Sequence, residues 1–318
     1  MEKINSEWKA PVSLKYNEPM SRHTTFKLGG TADVWVRPQK EIFPEYAAGL
    51  IKAAGEEGIP VFILGEGANL VVSDRGIRGI VLDTGGFRGV GKREAMSKTD
   101  ESAKTAFSVS VLAGTSMDGL CGRLAERGLS GMECFSGMPG SLGGAVWMNA
   151  RCYDKSISDV LIETEILDEA FNRITVPFNG EDFSYKKSPF QGRKVLILSA
   201  RLAVKFGNSM EIRKKNASFR QDRSRKGHYT LPSAGSAFKN NHDFGESTGR
   251  IIDKLGLKGF TVGGAQVAPW HGNIIVNTGK ATASDIKALM NEIAKKVKEE
   301  LGFELESEIL FAGDWGDA

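Results

Sequence analysis

Cysteine is scarce in this chain and none of it is paired at metal-binding spacing: Cys121, Cys134 and Cys152 are an odd number with no CxxC among them. That speaks against a disulfide framework and a cysteine zinc site, and a reducing compartment is the simpler expectation. No run approaches the roughly 18 uncharged apolar residues of a membrane span. The opening stretch, MEKINSEWKAPVSLKYNEPM, has no apolar signal core. A cytoplasmic protein with no membrane partner is expected. An excess of either charge is also missing, since 42 Lys and Arg against 39 Asp and Glu leave only +3. So small a balance gives no support to a nucleic-acid partner. Ten prolines are too few for a linker composition, and there is no internal repeat or low-complexity tract. What is present in excess is glycine, 38 of 318 residues, well above a usual share of ~7 %. Such an excess asks where the backbone must turn tightly or approach a ligand. With 41 % hydrophobic and 25 % charged residues the rest is ordinary globular composition, long enough for about two domains.

Periodicity supplies the elements. Glu41 to Glu57 reads as a helix with Ile42, Tyr46 and Leu50 on one face and Gly58 at its end, followed by a buried strand, Val61 to Leu64. GEGANL, a second apolar run at Val71 and Val72, a turn at DRGIRG and a third run from Ile80 to Leu82 come next. Lys92 to Lys104 is polar without periodicity and is expected to be an exposed loop before a strand from Ala106 to Ala113. Ser116 caps a helix that Gly128 closes. Val160 to Asp168, Arg173 to Pro177 and Val195 to Lys205 read as antiparallel strands. The basic run Met210 to Lys226 marks the passage into a second domain. That domain carries a helix near Ser247 to Leu255 and a long amphipathic one from Ser284 to Leu301. Ile286, Leu289, Met290, Ile293, Val297 and Leu301 form its buried stripe, and Gly302 is its stop.

Several motifs carry chemistry or a plainer alternative. Gly86 to Lys92 fits GxxxxGK, but Arg93 stands where a phosphate loop needs Ser or Thr for magnesium, so a glycine-rich surface turn is expected. No GxGxxG joins a strand to a helix, and a Rossmann fold is unsupported. Gly65 to Leu70 alternates small residues directly after a strand, a pattern that suits either a hairpin turn or backbone amides gathered around a diphosphate. Gly137 to Gly144, GMPGSLGG, leaves the same backbone exposed and room for a flat ring. PSAGSAFKN, residues 232 to 240, is either a capped turn or a set of hydroxyl, ammonium and amide groups around a ligand. In LESEIL the glutamates Glu306 and Glu308 alternate with Leu305 and Ile309, so one carboxylate could face a cleft.

Taken as a series, HTTFKLGG (23 to 30), LGEGANLVVSD (64 to 74), GMPGSLGGAVWMNA (137 to 150), PSAGSAFKN, GLKGFTVGGAQV (256 to 267) and LESEI (305 to 309) closely resemble the UDP-N-acetylenolpyruvoylglucosamine reductase family, its shorter subclass. The resemblance runs from His23 to Trp315. It implies an α+β protein with the FAD-binding fold of the vanillyl-alcohol-oxidase type in residues 1–206, made of two α+β subdomains (about 1–86 and 87–206). A smaller α+β substrate-binding domain would follow in 207–318. It further implies non-covalent FAD, NADPH as reductant and UDP-N-acetylglucosamine enolpyruvate as substrate, in peptidoglycan precursor synthesis.

By matching position, the resemblance puts the diphosphate of FAD on Gly65, Glu66, Gly67, Ala68, Asn69 and Leu70. The isoalloxazine would lie near Gly137, Pro139, Gly140, Ser141, Gly143 and Gly144, with Asn149 and Ala150 beside it. Ser236 matches the general acid and Glu308 the catalytic carboxylate; Tyr185, Lys239, Asn240 and His271 match substrate-lining positions. No metal is implied. Where the family has tyrosine-arginine-x-serine, this chain has Tyr185-Lys186-Lys187-Ser188, so Lys186 takes the cation's place with a compact charge and no planar fork. If that segment is extended, neighbouring side chains alternate and only one of Lys186 and Lys187 reaches the site. The alternatives are another flavin oxidoreductase of the same fold, or a flavin- or nucleotide-sugar-binding homologue that has lost turnover with the arginine.

Overall fold

The structure, a computed structural model, describes residues 12–96 and 106–316. The chain forms two compact units from interleaved segments. Among the described residues, those within 12–14, 36–66 and 82–221 make the first, and those within 15–35, 67–81 and 222–316 make the second. The sequence reading divides the chain at 206/207, with a subdomain boundary near 86/87. Strands Val12–Pro19, Thr31–Pro38 and Ile77–Asp83 each carry the chain from one unit to the other, a crossing that periodicity does not reveal.

In the first unit an antiparallel sheet runs in the order Arg173–Pro177, Leu161–Leu167, Leu196–Phe206, Ala106–Leu112, Val90–Ala95, and Leu129–Ser130 also pairs with the third of these strands. Along Leu196–Phe206 the alternate residues Leu198, Ala200, Leu202 and Val204 are fully buried, the period-2 signature of a strand with one face on a core. Helices Met117–Glu126 and Leu142–Trp147 contribute Met117, Leu120, Leu124, Leu142 and Val146 to that core. Ser116 caps the first helix by accepting from the Gly119 amide at 3.2 Å, as its sequence position implies. The strand Val90–Ala95 corrects the loop expected from Lys92 onward, because Arg93, Glu94 and Ala95 pair with Val109, Ser108 and Phe107. Residues Gly91 to Ala95 are all exposed on this edge strand, so neither face imposes apolar alternation. Residues 97 to 104 of that expected loop lie outside the described ones.

The second unit holds a sheet in the order Ser233–Ser236, Ile274–Asn277, Ala265–Val267, Thr261–Val262, and a parallel pair, Leu70–Val72 with Leu310–Ala312. Helices Thr248–Lys254 and Ala283–Leu301 complete it. The long helix starts in a reciprocal capping box: Thr282 Oγ1 accepts from the Asp285 amide and Asp285 from the Thr282 amide, both at 3.0 Å. Ile286, Leu289, Met290, Ile293 and Val297 are buried in the core of the unit, each worth about 1.5–3 kcal/mol if fully removed from water. Leu301 is not part of that stripe; it is 44 % exposed in the last turn. Gly302 ends the helix at φ 72°, a left-handed stop that glycine takes without strain. Among the described residues no helix is long and apolar enough to cross a membrane.

Candidate functional site

The strand Val61–Leu64 runs into Gly65, where an added Cβ would collide with Ser141 Oγ. On Gly67, at φ 62°, an added Cβ would meet the His23 carbonyl. Small residues are therefore dictated by space at the first position and by space and backbone at the second. Among the described residues the amides from Gly65 through Asn69 have no hydrogen-bond acceptor, whereas the carbonyls of Gly67 and Asn69 accept from Thr25 and Leu310. A run of unsatisfied donors is what an anionic diphosphate requires, and the loop's one carboxylate, Glu66, is engaged by the Gly140 amide at 3.1 Å. Asn69 is fixed at a second point by donating from Nδ2 to the Glu308 carbonyl at 3.0 Å.

The second glycine loop behaves differently. Gly137 donates to Asp118 Oδ1 at 2.6 Å, Gly140 to Glu66 Oε2 at 3.1 Å, Gly143 to the Ala113 carbonyl at 2.8 Å and Gly144 to Ser141 Oγ at 3.3 Å. The amides of Gly137, Gly140, Gly143 and Gly144 are spent on holding the loop, and Ser141 caps the helix that follows. What remains for a ligand is a close-packed surface, on which a Cβ at Gly143 would press against Ala113 Cβ at 2.9 Å. Arg220 donates to Asp118 at 2.8 Å, so the basic helix Ser209–Arg225 helps to hold Gly137. No sequence pattern marks Asp118 for this role. Asn149, at φ 44° and buried, donates to the Ser184 carbonyl at 2.9 Å and accepts from the Ser158 amide at 3.2 Å. The Ala150 amide donates to the Ala145 carbonyl at 2.8 Å.

Residues Ser184 to Lys187 form a tight turn, with the Lys187 amide donating to the Ser184 carbonyl at 3.0 Å. This corrects the extended segment expected there. Tyr185 and Lys186 occupy the two central positions, and Lys186 has φ 58°, a left-handed value that turns usually reserve for Gly or Asn. Strand alternation therefore does not decide between Lys186 and Lys187. Lys186 Nζ lies 5.9 Å from the centre of the Tyr185 ring.

In the second unit, Ser236 follows Gly235 (φ 77°) on a strand whose register slips by one residue between the pairs Ser233↔Val276 and Ser236↔Ile274. Such a bulge bends the strand and re-aims the residue after it. The segment beyond is held on both sides. Ala237 donates to the Asn273 carbonyl at 2.8 Å on one side, and Glu308 donates to the Ala237 carbonyl at 2.9 Å on the other. Asn273 adds a reciprocal pair with Phe238, accepting from its amide at 3.0 Å and donating to its carbonyl at 2.8 Å. Of the two C-terminal glutamates, Glu308 is buried, while Glu306 is exposed and ion-paired with Lys239. Asn240 Oδ1 accepts from the Thr248 amide at 2.9 Å, supporting the start of a helix. His271 Nδ1 accepts from the Asn273 amide at 3.1 Å, leaving Nε2 as the donor of the neutral ring. Its ring centre is 6.3 Å from that of His228. Burial lowers both imidazoles, His228 to about 4; the cations Arg223 and Lys226 add to the effect at His228, and Lys226 and Lys258 at His271. Ser236, Glu308, Lys239, Asn240 and His271 belong to the second unit; Lys186, Tyr185 and the loop from Gly137 belong to the first.

Comparisons with known proteins identify the family. A family profile for an FAD binding domain matches residues 38–171, and one for the C-terminal domain of UDP-N-acetylenolpyruvoylglucosamine reductase matches 227–312. The chain is 40 % identical over 316 residues to the UDP-N-acetylenolpyruvoylglucosamine reductase of Treponema denticola, covering 96 % of this chain and 95 % of that one. It is 39 % identical to that of Caldanaerobacter subterraneus, with 95 % and 94 % covered. The crystal structure of the reductase from Thermus caldophilus superposes with a TM-score of 0.74 at 31 % identity, over 95 % of this chain and 99 % of that one. An α+β architecture with the FAD-binding fold, the two glycine loops, the bulged serine strand and likeness over nearly the whole length lead to one conclusion: the chain belongs to the UDP-N-acetylenolpyruvoylglucosamine reductase family.

Proposed function

We propose that this FAD-dependent reductase takes its reducing equivalents from NADPH and delivers them to UDP-N-acetylglucosamine enolpyruvate, giving UDP-N-acetylmuramate in the cytoplasm for peptidoglycan synthesis. The observation that supports the reading most is the run of amide donors from Gly65 to Asn69 that have no acceptor among the described residues, a fit to the diphosphate of FAD. Gly137, Pro139, Gly140, Ser141, Gly143 and Gly144 would give the flavin ring its packing surface. When bound there, FAD would supply the hydride-transfer chemistry between NADPH and C3 of the enolpyruvyl group.

The protein's own groups manage the charge and the proton that follow. Hydride addition at C3 leaves an enediolate across C2 and the carboxylate of the substrate. Lys186 supplies the positive charge that this carboxylate needs, and the Ser236 hydroxyl delivers a proton to C2. A serine is a weak acid, but a carbanion-like centre is basic enough to take its proton. Glu308, buried beside the Ser236 strand, is the catalytic carboxylate. Lys239, Asn240, His271 and Tyr185 line the nucleotide-sugar site, and the Lys239–Glu306 pair fixes where that ammonium can reach. Anaerobic addition of NADPH should bleach the bound flavin, and the enolpyruvyl nucleotide sugar should then restore its colour. Flavin that NADPH bleaches but this substrate leaves reduced would favour a different oxidoreductase of the same fold.

A further inference from the structure

Gln191 belongs to none of the motifs that carry the chemistry, yet its side-chain amide joins two functional segments of the first unit. Nε2 donates to the Lys186 carbonyl at 3.0 Å and to the Trp147 carbonyl at 3.1 Å, which occupies both amide hydrogens. Ser188 Oγ donates to the same Trp147 carbonyl at 2.6 Å, and Asn149 Nδ2 donates to the Ser184 carbonyl at 2.9 Å. The turn that carries Lys186 is thus tied at its first and third residues to the C-terminal end of helix Leu142–Trp147, the helix that Ser141 of the glycine loop caps. It needs the ties, because a lysine at φ 58° stays in that conformation only where the surroundings over-determine it.

We infer that Gln191 is a positioning residue: it locks the Lys186 turn onto the helix behind the flavin loop, so that the ammonium meets the substrate carboxylate in one orientation. The inference rests on the reading of Lys186 as the substrate-facing cation. Only a donor serves at this position, since both partners are carbonyl oxygens. A glutamate would turn a carboxylate onto them, and a methionine would keep the length of the side chain without a hydrogen to give.

The test uses the holoenzyme with Gln191→Met and Gln191→Glu. Flavin reduction by NADPH should stay within about twofold of wild type. Anaerobic reoxidation by the enolpyruvyl nucleotide sugar should slow roughly ten- to a hundredfold, the scale of loss produced by a misplacement of about 1 Å. In hydrogen exchange the Lys187 amide, which closes the turn on Ser184, should lose protection. In the Lys186→Ala background, Gln191→Met should slow reoxidation no further, because its effect passes through Lys186. Wild-type reoxidation in Gln191→Met beside a slow Lys186→Ala would overturn the positioning role alone. So would losses that multiply in the double variant, or half-reactions that fall together with loss of bound FAD. Wild-type reoxidation in Lys186→Ala would remove the reading of Lys186, and the inference with it.

Discussion

The amide of Glu308 donates to the carbonyl of Ala237 at 2.9 Å, and the amide of Lys239 donates to the carbonyl of Glu306 at the same distance. This short antiparallel ladder puts a buried carboxylate across from the residue that follows Ser236. The proposed acid and the proposed carboxylate are therefore fixed by one set of backbone bonds, and a shift of either strand moves both.

Ser236→Ala should leave flavin reduction by NADPH unchanged and slow reoxidation by the enolpyruvyl substrate, by about 10²- to 10⁴-fold if the hydroxyl is the positioned acid. Stopped-flow absorbance of the flavin separates the two half-reactions. Wild-type rates in both would leave Ser236 as a bulge residue only.

Gly235→Ala tests the bulge itself. Nothing lies within 4 Å of the added Cβ, so any cost comes from holding alanine at φ 77°, about 1–2 kcal/mol. Urea denaturation should show that loss, together with reduced turnover as Ser236 is re-aimed. An unchanged midpoint would mean the strand accepts another register.

Lys186→Gly should separate stability from activity. Glycine takes the left-handed conformation without the penalty a Cβ brings, so the variant should gain up to about 1 kcal/mol in denaturant unfolding. It should also lose reoxidation rate, as Lys186→Ala should. Lys186→Arg should keep the rate, and Lys187→Ala should change it little. The opposite result for the two lysines would assign the cation to Lys187.

His228 makes the protein sensitive to mild acid. Its imidazole is held down to about 4 in the fold, by burial first and then by Arg223, His271 and Lys226, against an ordinary 6.5. Between those values the unfolded chain binds a proton that the folded chain refuses, so unfolding free energy falls as pH drops from about 6.5 toward 4. His228→Gln should flatten this part of the stability profile measured by thermal melting at stepped pH. His271, lowered mainly by burial, should leave a residual slope of the same sign.

The purified chain should be yellow, and denaturation should release free FAD. Flavin that stays with the denatured polypeptide would reveal a covalent link and contradict the non-covalent reading.

The sequence was most legible where one face of an element is buried. The long helix ending at Gly302, the Ser116 cap and the central antiparallel strands followed from periodicity and end signals, because packing against a core imposes the pattern. It was least legible at Val90–Ala95, an exposed edge strand, and at Leu301, where the apolar stripe outlasts the buried surface. The turn at Lys186 was hidden for a different reason: its left-handed residue is a lysine, so the chemical signal that normally marks such a turn is missing. The two glycine loops looked equivalent as strings of small residues. Only the hydrogen bonds separated them, since Asp118 and Glu66 take up amides of the second while the first keeps its donors.

Asn69 is held by its side chain to the Glu308 carbonyl and by its own carbonyl to the Leu310 amide, partners at least 239 positions later in the chain. Synthesis from the N-terminus therefore produces the diphosphate loop early and its anchors last. Closing so long a loop is paid in chain entropy before the contact gives anything back. If the loop holds the cofactor as proposed, its capture belongs to the end of folding, and a chain stalled or cut ahead of Glu306 would carry the loop without the clamp that sets it.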